Sequence, residues 1–156
     1  MTRILPAALA TALLMMLPAA AMGFDDPKAL VQAVYDSYQP GKPGDGTRYY
    51  SDMLKEKVAH FQAGVQARGG DEGDGFDPLV NGQSHLLHDL SIGEPMVSGD
   101  SASVPVRFFN FDQDNLMVLA LVRAADGWRI DDVAAMGPGL RWLYSMLLSD
   151  ENWMAN

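Results

Sequence analysis

Four side chains in the middle of this sequence are of the types that acid–base chemistry and polar recognition use: Asp77, Gln83, His85 and Arg107. A carboxylate and an imidazole or phenol can exchange a proton when an apolar pocket brings them together and burial moves at least one pKa toward neutrality. Further partners for such a pairing are His88, Asp89, Asp132 and the tyrosines Tyr35, Tyr38, Tyr49 and Tyr50. Asp77 precedes Pro78, a position where an aspartate commonly closes a turn with its own side chain. Arg107 stands among apolar neighbours, so it either pairs with Asp77 or Asp132 inside the fold or extends from the outer face on its aliphatic stem. Asp77, Gln83, His85 and Arg107 are the candidate ligand-binding residues; no residue is assigned a catalytic role.

Metal chemistry is testable by spacing. His85 and His88 are three apart, and on a helix their imidazoles would share a face, as a zinc pair requires. A third ligand would have to come from a distant residue, so two partly exposed histidines beside a turn are the preferred reading. Asp71, Glu72, Asp74 and Asp77 put four carboxylates within seven residues, which invites a calcium loop. Counted from Asp71, the alternate positions bring Gly73 and Gly75 where oxygen ligands are needed, so a solvated loop is expected instead. There is no Ser-His-Asp order, phosphate loop or nucleotide fingerprint, and neither a metal nor a cofactor is expected. Asp132 shares the parity of Trp128 and Ile130, which turns its carboxylate toward the core side of a strand or leaves it in water at the strand's end.

The elements that must position these groups follow from periodicity. Asp26-Pro27 opens a helix whose stripe is Leu30, Val31, Val34, Tyr35 and Tyr38, with its end near Gln39 before a proline- and glycine-rich turn. A second helix begins between Thr47 and Ser51 and carries Tyr50, Leu54, Val58, Phe61 and Val65. Leu90, Ile92, Met96 and Val97 make a bent strand around Pro95. From Ser101 to Val133 an antiparallel meander is expected. Ala102 to Phe108 alternates, Asn110 to Asn115 turns, Leu116 to Val122 is buried, and Ala125-Asp126-Gly127 is a tight hairpin leading to Trp128 and Ile130. A final helix spans Leu140 to Ser149. Met136, Met146 and Met154, beside Trp142 and Trp153, form either a partner surface or ordinary core.

The first residues read as a secretory signal peptide: Arg3, then an apolar run to Leu17 and an Ala-rich exit, with cleavage after Ala21 or Gly23. No cysteine stands there to carry a lipid, and no later run reaches membrane-spanning length. No stable membrane anchor is therefore expected after cleavage. Removing the first 23 of 156 residues leaves 133, enough for one α+β domain with a real core. The formal charge is −9, and it becomes −10 when Arg3 leaves. Such a balance repels nucleic acid and anionic lipid at long range. With no cysteine in the chain, packing must supply the stability.

Two N-terminal helices, a glycine-rich turn into Asp77-Pro78 with Gln83 after it, a meander, the strand Trp128-Arg129-Ile130-Asp131-Asp132-Val133 and a C-terminal helix together resemble a bacterial exported family labelled domain of unknown function 3828. That family resembles the nuclear transport factor 2-like superfamily. The resemblance implies a curved antiparallel sheet of about four strands, packed by two N-terminal helices and one C-terminal helix into a cone around a pocket. It brings no catalytic residues with it. The expected protein is periplasmic or secreted and binds a small ligand in the cone or a protein partner on its surface, with a homodimer as one arrangement. The alternative is a small isomerase or hydrolase using carboxylates in the cone. Fold analogy alone does not choose between them.

Overall fold

The computed structural model describes residues 23–70 and 75–149. All but the last residue of the expected signal peptide, three of the four carboxylates of the acidic loop, and Trp153 and Met154 lie outside them. The architecture is α+β, a curved antiparallel sheet with few helices.

Helix α1 is Pro27–Asp36, capped by the Asp26 carboxylate, which accepts from the backbone N–H of Lys28 (3.3 Å) and Ala29 (3.0 Å). It stops earlier than the expected Gln39, because Ser37 donates its hydroxyl back to the Val34 carbonyl at 2.6 Å and the chain turns there. A single 3₁₀ turn, Thr47–Tyr49, leads to α2, Asp52–Ala67. Ser51 caps α2 by accepting from Leu54 N–H at 3.1 Å, and its hydroxyl donates to Asp131 at 2.6 Å. Of the expected stripe, Leu54 is fully buried and Tyr50, just ahead of the helix, is buried too; Val58, Phe61 and Val65 are half-covered.

The sheet comprises β1 (Leu87–Ile92), β2 (Met96–Ser98), β3 (Ser101–Asn110), β4 (Gln113–Ala124), β5 (Gly127–Ala135) and β6 (Trp142–Leu143). Its order is β1-β3-β4-β5-β6, with β2 also against β3, so among the described residues six strands stand where about four were expected. β3 and β4 pair without interruption from Ser101↔Val122 to Asn110↔Gln113. The turn between them is therefore only Phe111-Asp112, not the longer segment to Asn115, with Phe111 at φ 51°. Even-numbered residues of β3 and odd-numbered residues of β4 face the helices: Val104, Val106, Phe108, Met117, Leu119 and Leu121 are buried with Leu30, Val31 and Val34 of α1.

β5 contains an irregularity that the sequence pattern hides. Ala120 pairs with Asp132 and Leu121 with Ile130, which leaves Asp131 as an inserted residue. Trp128 and Ile130 are buried before the bulge, Val133 and Ala135 after it. Asp132 accordingly does not share the face of Trp128. Its carboxylate accepts from Ser145 N–H (3.0 Å) and Ser145 Oγ–H (2.5 Å), tying the start of α3 (Tyr144–Leu147) to the sheet. The expected helix from Leu140 is thus shortened to Tyr144–Leu147, because Trp142 and Leu143 instead pair with Ala135 and Ala134 and satisfy the edge of β5.

Candidate functional site

Asp77 stands at a tight return of the chain. Its backbone N–H donates to the Gly82 carbonyl (2.8 Å), and its own carbonyl accepts from Gly82 N–H (3.3 Å). Asn81 makes the reversal at φ 52°. One carboxylate oxygen accepts from Leu79 N–H at 2.9 Å, the turn-closing role its place before Pro78 suggested. The other accepts from the Tyr38 hydroxyl at 2.6 Å. Burial pushes the Asp77 carboxyl above its ordinary value, while donation from Tyr38 and Leu79 pulls it partly back.

Tyrosines surround this carboxylate. Tyr35 donates to the Leu79 carbonyl at 2.9 Å and packs on Phe108 with ring centres 5.6 Å apart. Burial, with the Asp77 charge second, pushes the Tyr35 and Tyr38 hydroxyls far above the ordinary phenol range. Tyr144 is pushed up to about 12 by the same two causes. Tyr50 is raised too, by burial and then by its neighbour Tyr144, and its hydroxyl has no hydrogen-bond partner among the described residues. The Asp77–Tyr38 pair has the parts of an acid–base dyad. Yet both carboxylate oxygens are engaged within the fold and Tyr38 is 2% exposed, so the pair fastens the 77–82 loop to the turn that follows α1.

The candidate residues are therefore only partly brought together. His85 joins Asp77 through Tyr38, whose ring it meets edge-on at 5.2 Å, while its Nε2 lies 3.0 Å from the Lys42 carbonyl oxygen. Gln83 lies just past the turn and lines a separate surface cleft. Arg107 is on the opposite face of the sheet, because odd positions of β3 point away from the helices; it grips Asp114 through two hydrogen bonds of 3.2 and 2.8 Å. Pairing of Arg107 with Asp77 or Asp132 inside the fold does not occur. His88 stacks on Phe109 at 5.2 Å and bonds to Asp89 and to the Phe111 carbonyl, contacts that it does not share with His85. Its imidazole pKa is raised, first by the Asp89 bond.

The cleft that Gln83 lines has a volume of about 670 Å³ and lies at the Phe111 end of the β3–β4 hairpin. Its floor is a chain of side-chain bonds: the Trp142 indole N–H donates to Asn81 (3.1 Å), Asn81 donates to Asn115 (2.8 Å), and Asn115 donates to the Gln113 carbonyl (2.8 Å). Phe76 stands edge-on to Trp142 at 5.5 Å. Asp112 and Asp114 complete the polar wall, and none of the described lining residues is lysine, arginine or histidine. Such a wall suits uncharged or cationic groups and repels anions. Sequence reasoning found Gln83 but missed Asn81 and Asn115. The dipeptide Asn81-Gly82 has only the composition of a turn, and nothing local in the sequence links position 81 to 115 or 142. A second opening of about 540 Å³ lies between α2 and Leu148, beside Met53, Lys57 and His60.

No protein-family model matches the chain, and no curated protein matches it. Among solved structures it is similar to a chain in the crystal structure of the type VI native effector–immunity complex Tae3–Tai3 from Ralstonia pickettii. The identity is 17%, the similarity covers 75% of this chain and 100% of that chain, and the TM-score is 0.47.

Proposed function

We propose that the chain is an exported, non-catalytic binding protein of the domain of unknown function 3828 type, with the cone-like nuclear transport factor 2-like fold. Its own side chains fill the concave side, and its ligand or partner sits at the surface in the amide-floored cleft beside Gln83. One observation carries this reading. The groups that could do acid–base work, Asp77 and Tyr38, are committed to each other inside a packed aromatic interior, whereas Gln83, Gln113 and Asp112 are exposed around an ordered floor. An enzyme would need a reacting atom within hydrogen-bond reach of its base. Neither the 670 Å³ cleft nor the 540 Å³ opening is lined by Asp77 or Tyr38.

Titration of isotope-labelled protein with uncharged and cationic small molecules tests the binding site. The amide signals of Gln83 and Gln113 and the Trp142 indole N–H are expected to move, with anionic compounds leaving them in place. Shifts centred on Tyr38 and Tyr50 instead would overturn the surface site in favour of the interior. Export has its own test: the protein recovered from outside the cytoplasm is expected to begin at Met22 or Phe24, and recovery of only the uncleaved chain from the cytoplasmic fraction would sink that part of the proposal.

A further inference from the structure

The β3–β4 hairpin closes in two residues, Phe111 and Asp112, beyond the pair Asn110↔Gln113. Phe111 takes φ 51° at the first loop position, where hairpins of this length normally carry glycine or asparagine. A bulky side chain is strained there, and the ring recovers little by burial, since Phe111 is 48% exposed. The bonds that hold this residue in place are main-chain ones. Its N–H donates to the Leu86 carbonyl at 3.0 Å, and its own carbonyl lies 2.8 Å from His88 Nε2. Glycine would make both bonds without the strain. A strained aromatic ring left in solvent points to work done outside the fold. Phe111 lines the 670 Å³ cleft together with Phe76 and Trp142, both half-buried.

We infer that the ligand of this cleft is a neutral saccharide with a pyranose ring laid against Phe111, an assignment that depends on the surface site proposed above. A sugar combines two kinds of surface, and the cleft offers a match for each. The apolar face of C–H groups is covered by an aromatic ring, while the rim of adjacent hydroxyls both donates and accepts hydrogen bonds. Gln83 and Gln113 hold exposed amides that donate and accept in the same way, and Asp112 adds a pure acceptor. Below them Asn115 is 5% exposed and bonded to Asn81, which Trp142 holds in turn, so the floor needs little ordering when a ligand arrives. Charge decides against other occupants. An anion meets no lysine, arginine or histidine among the described lining residues. For a cation, Asp114 is already gripped by Arg107 through two hydrogen bonds. Exposed Asp112 is the one unpaired carboxylate among the described lining residues, and a lone surface charge holds a cation weakly. The volume falls within the usual range of small-ligand sites.

Maltotriose, cellotriose and triacetylchitotriose, titrated into isotope-labelled protein, are the probes, read at the Gln83 and Gln113 amides and the Trp142 indole. At least one is expected to move these signals. Phe111→Gly separates binding from folding, because it removes the ring and relieves the turn. That variant is expected to melt at or above the wild-type temperature and to bind the sugar roughly tenfold more weakly. Gln83→Ala combined with Gln113→Ala should weaken binding to a similar extent. Silence with all three sugars would overturn the inference, as would sugar binding that Phe111→Gly leaves undiminished. A Phe111→Gly protein that melts clearly below wild type would do the same, since the ring would then serve the fold. Cleft signals that respond to cationic compounds alone would leave the surface site standing and remove the saccharide. Shifts centred on Tyr38 and Tyr50 would remove the site itself.

Discussion

Trp128→Ala is expected to lower the free energy of unfolding by about 3–5 kcal/mol, the usual cost of removing a large buried aromatic side chain. The indole is fully buried, its N–H donates to the Asp25 carbonyl at 3.1 Å, and the Arg123 guanidinium lies 4.4 Å from the ring centre. Three losses therefore coincide: the apolar volume, a hydrogen bond whose carbonyl acceptor is left behind, and a cation–π contact. Urea titration should show a lower midpoint with an unchanged slope, the sign that the native state and not the denatured ensemble has been altered. A loss near zero would mean that the indole is not part of the core.

Asp77→Ala is expected to cost about 1.5–3 kcal/mol, because the buried Tyr38 hydroxyl and the Leu79 N–H both lose their acceptor. Asp77→Asn should cost less at neutral pH, since it removes a half-buried charge and keeps one acceptor. The pH dependence has a definite sign. The folded carboxyl titrates above its unfolded value of 3.8, so the folded state holds the proton longer. Stability from this group is greatest in acid and falls as pH rises from the unfolded value through the raised folded one. Comparing unfolding free energies of wild type and Asp77→Asn across that window should show the extra fall only in the wild type. An identical slope in the two proteins would show that Asp77 is not the group responsible.

The helices and the meander were legible in the sequence because their signals are strong and local: a proline-started helix with one stripe, and strands that alternate between turn residues. What escaped was set by pairing across the sheet. The parity of Trp128, Ile130 and Asp132 runs straight through the bulge at Asp131, and only the partner strand reveals that one residue is extra. Arg107 left two directions open until Val104, Val106 and Phe108 fixed which side of β3 packs. Trp142 and Leu143 read as helix because an almost wholly apolar run has no usable period, whereas the unpaired backbone of Ala134 and Ala135 drew them into the sheet. For the site, Asp77 was legible as a turn aspartate and Gln83 as its neighbour. The bonds linking Asn81, Asn115 and Trp142 depend on residues up to 61 positions apart and leave no local trace.

The contact between Trp128 and the residues before α1 bears on the order in which the chain assembles. Phe24 and Asp25 accept hydrogen bonds from a residue about a hundred positions later, the indole bond spanning 103. Closing so long a loop is entropically costly until the intervening strands have drawn its ends together. The first described residues therefore lock last, after the β4–β5 hairpin has formed. Until that step the Phe24 and Asp25 carbonyls lack their partners on Trp128.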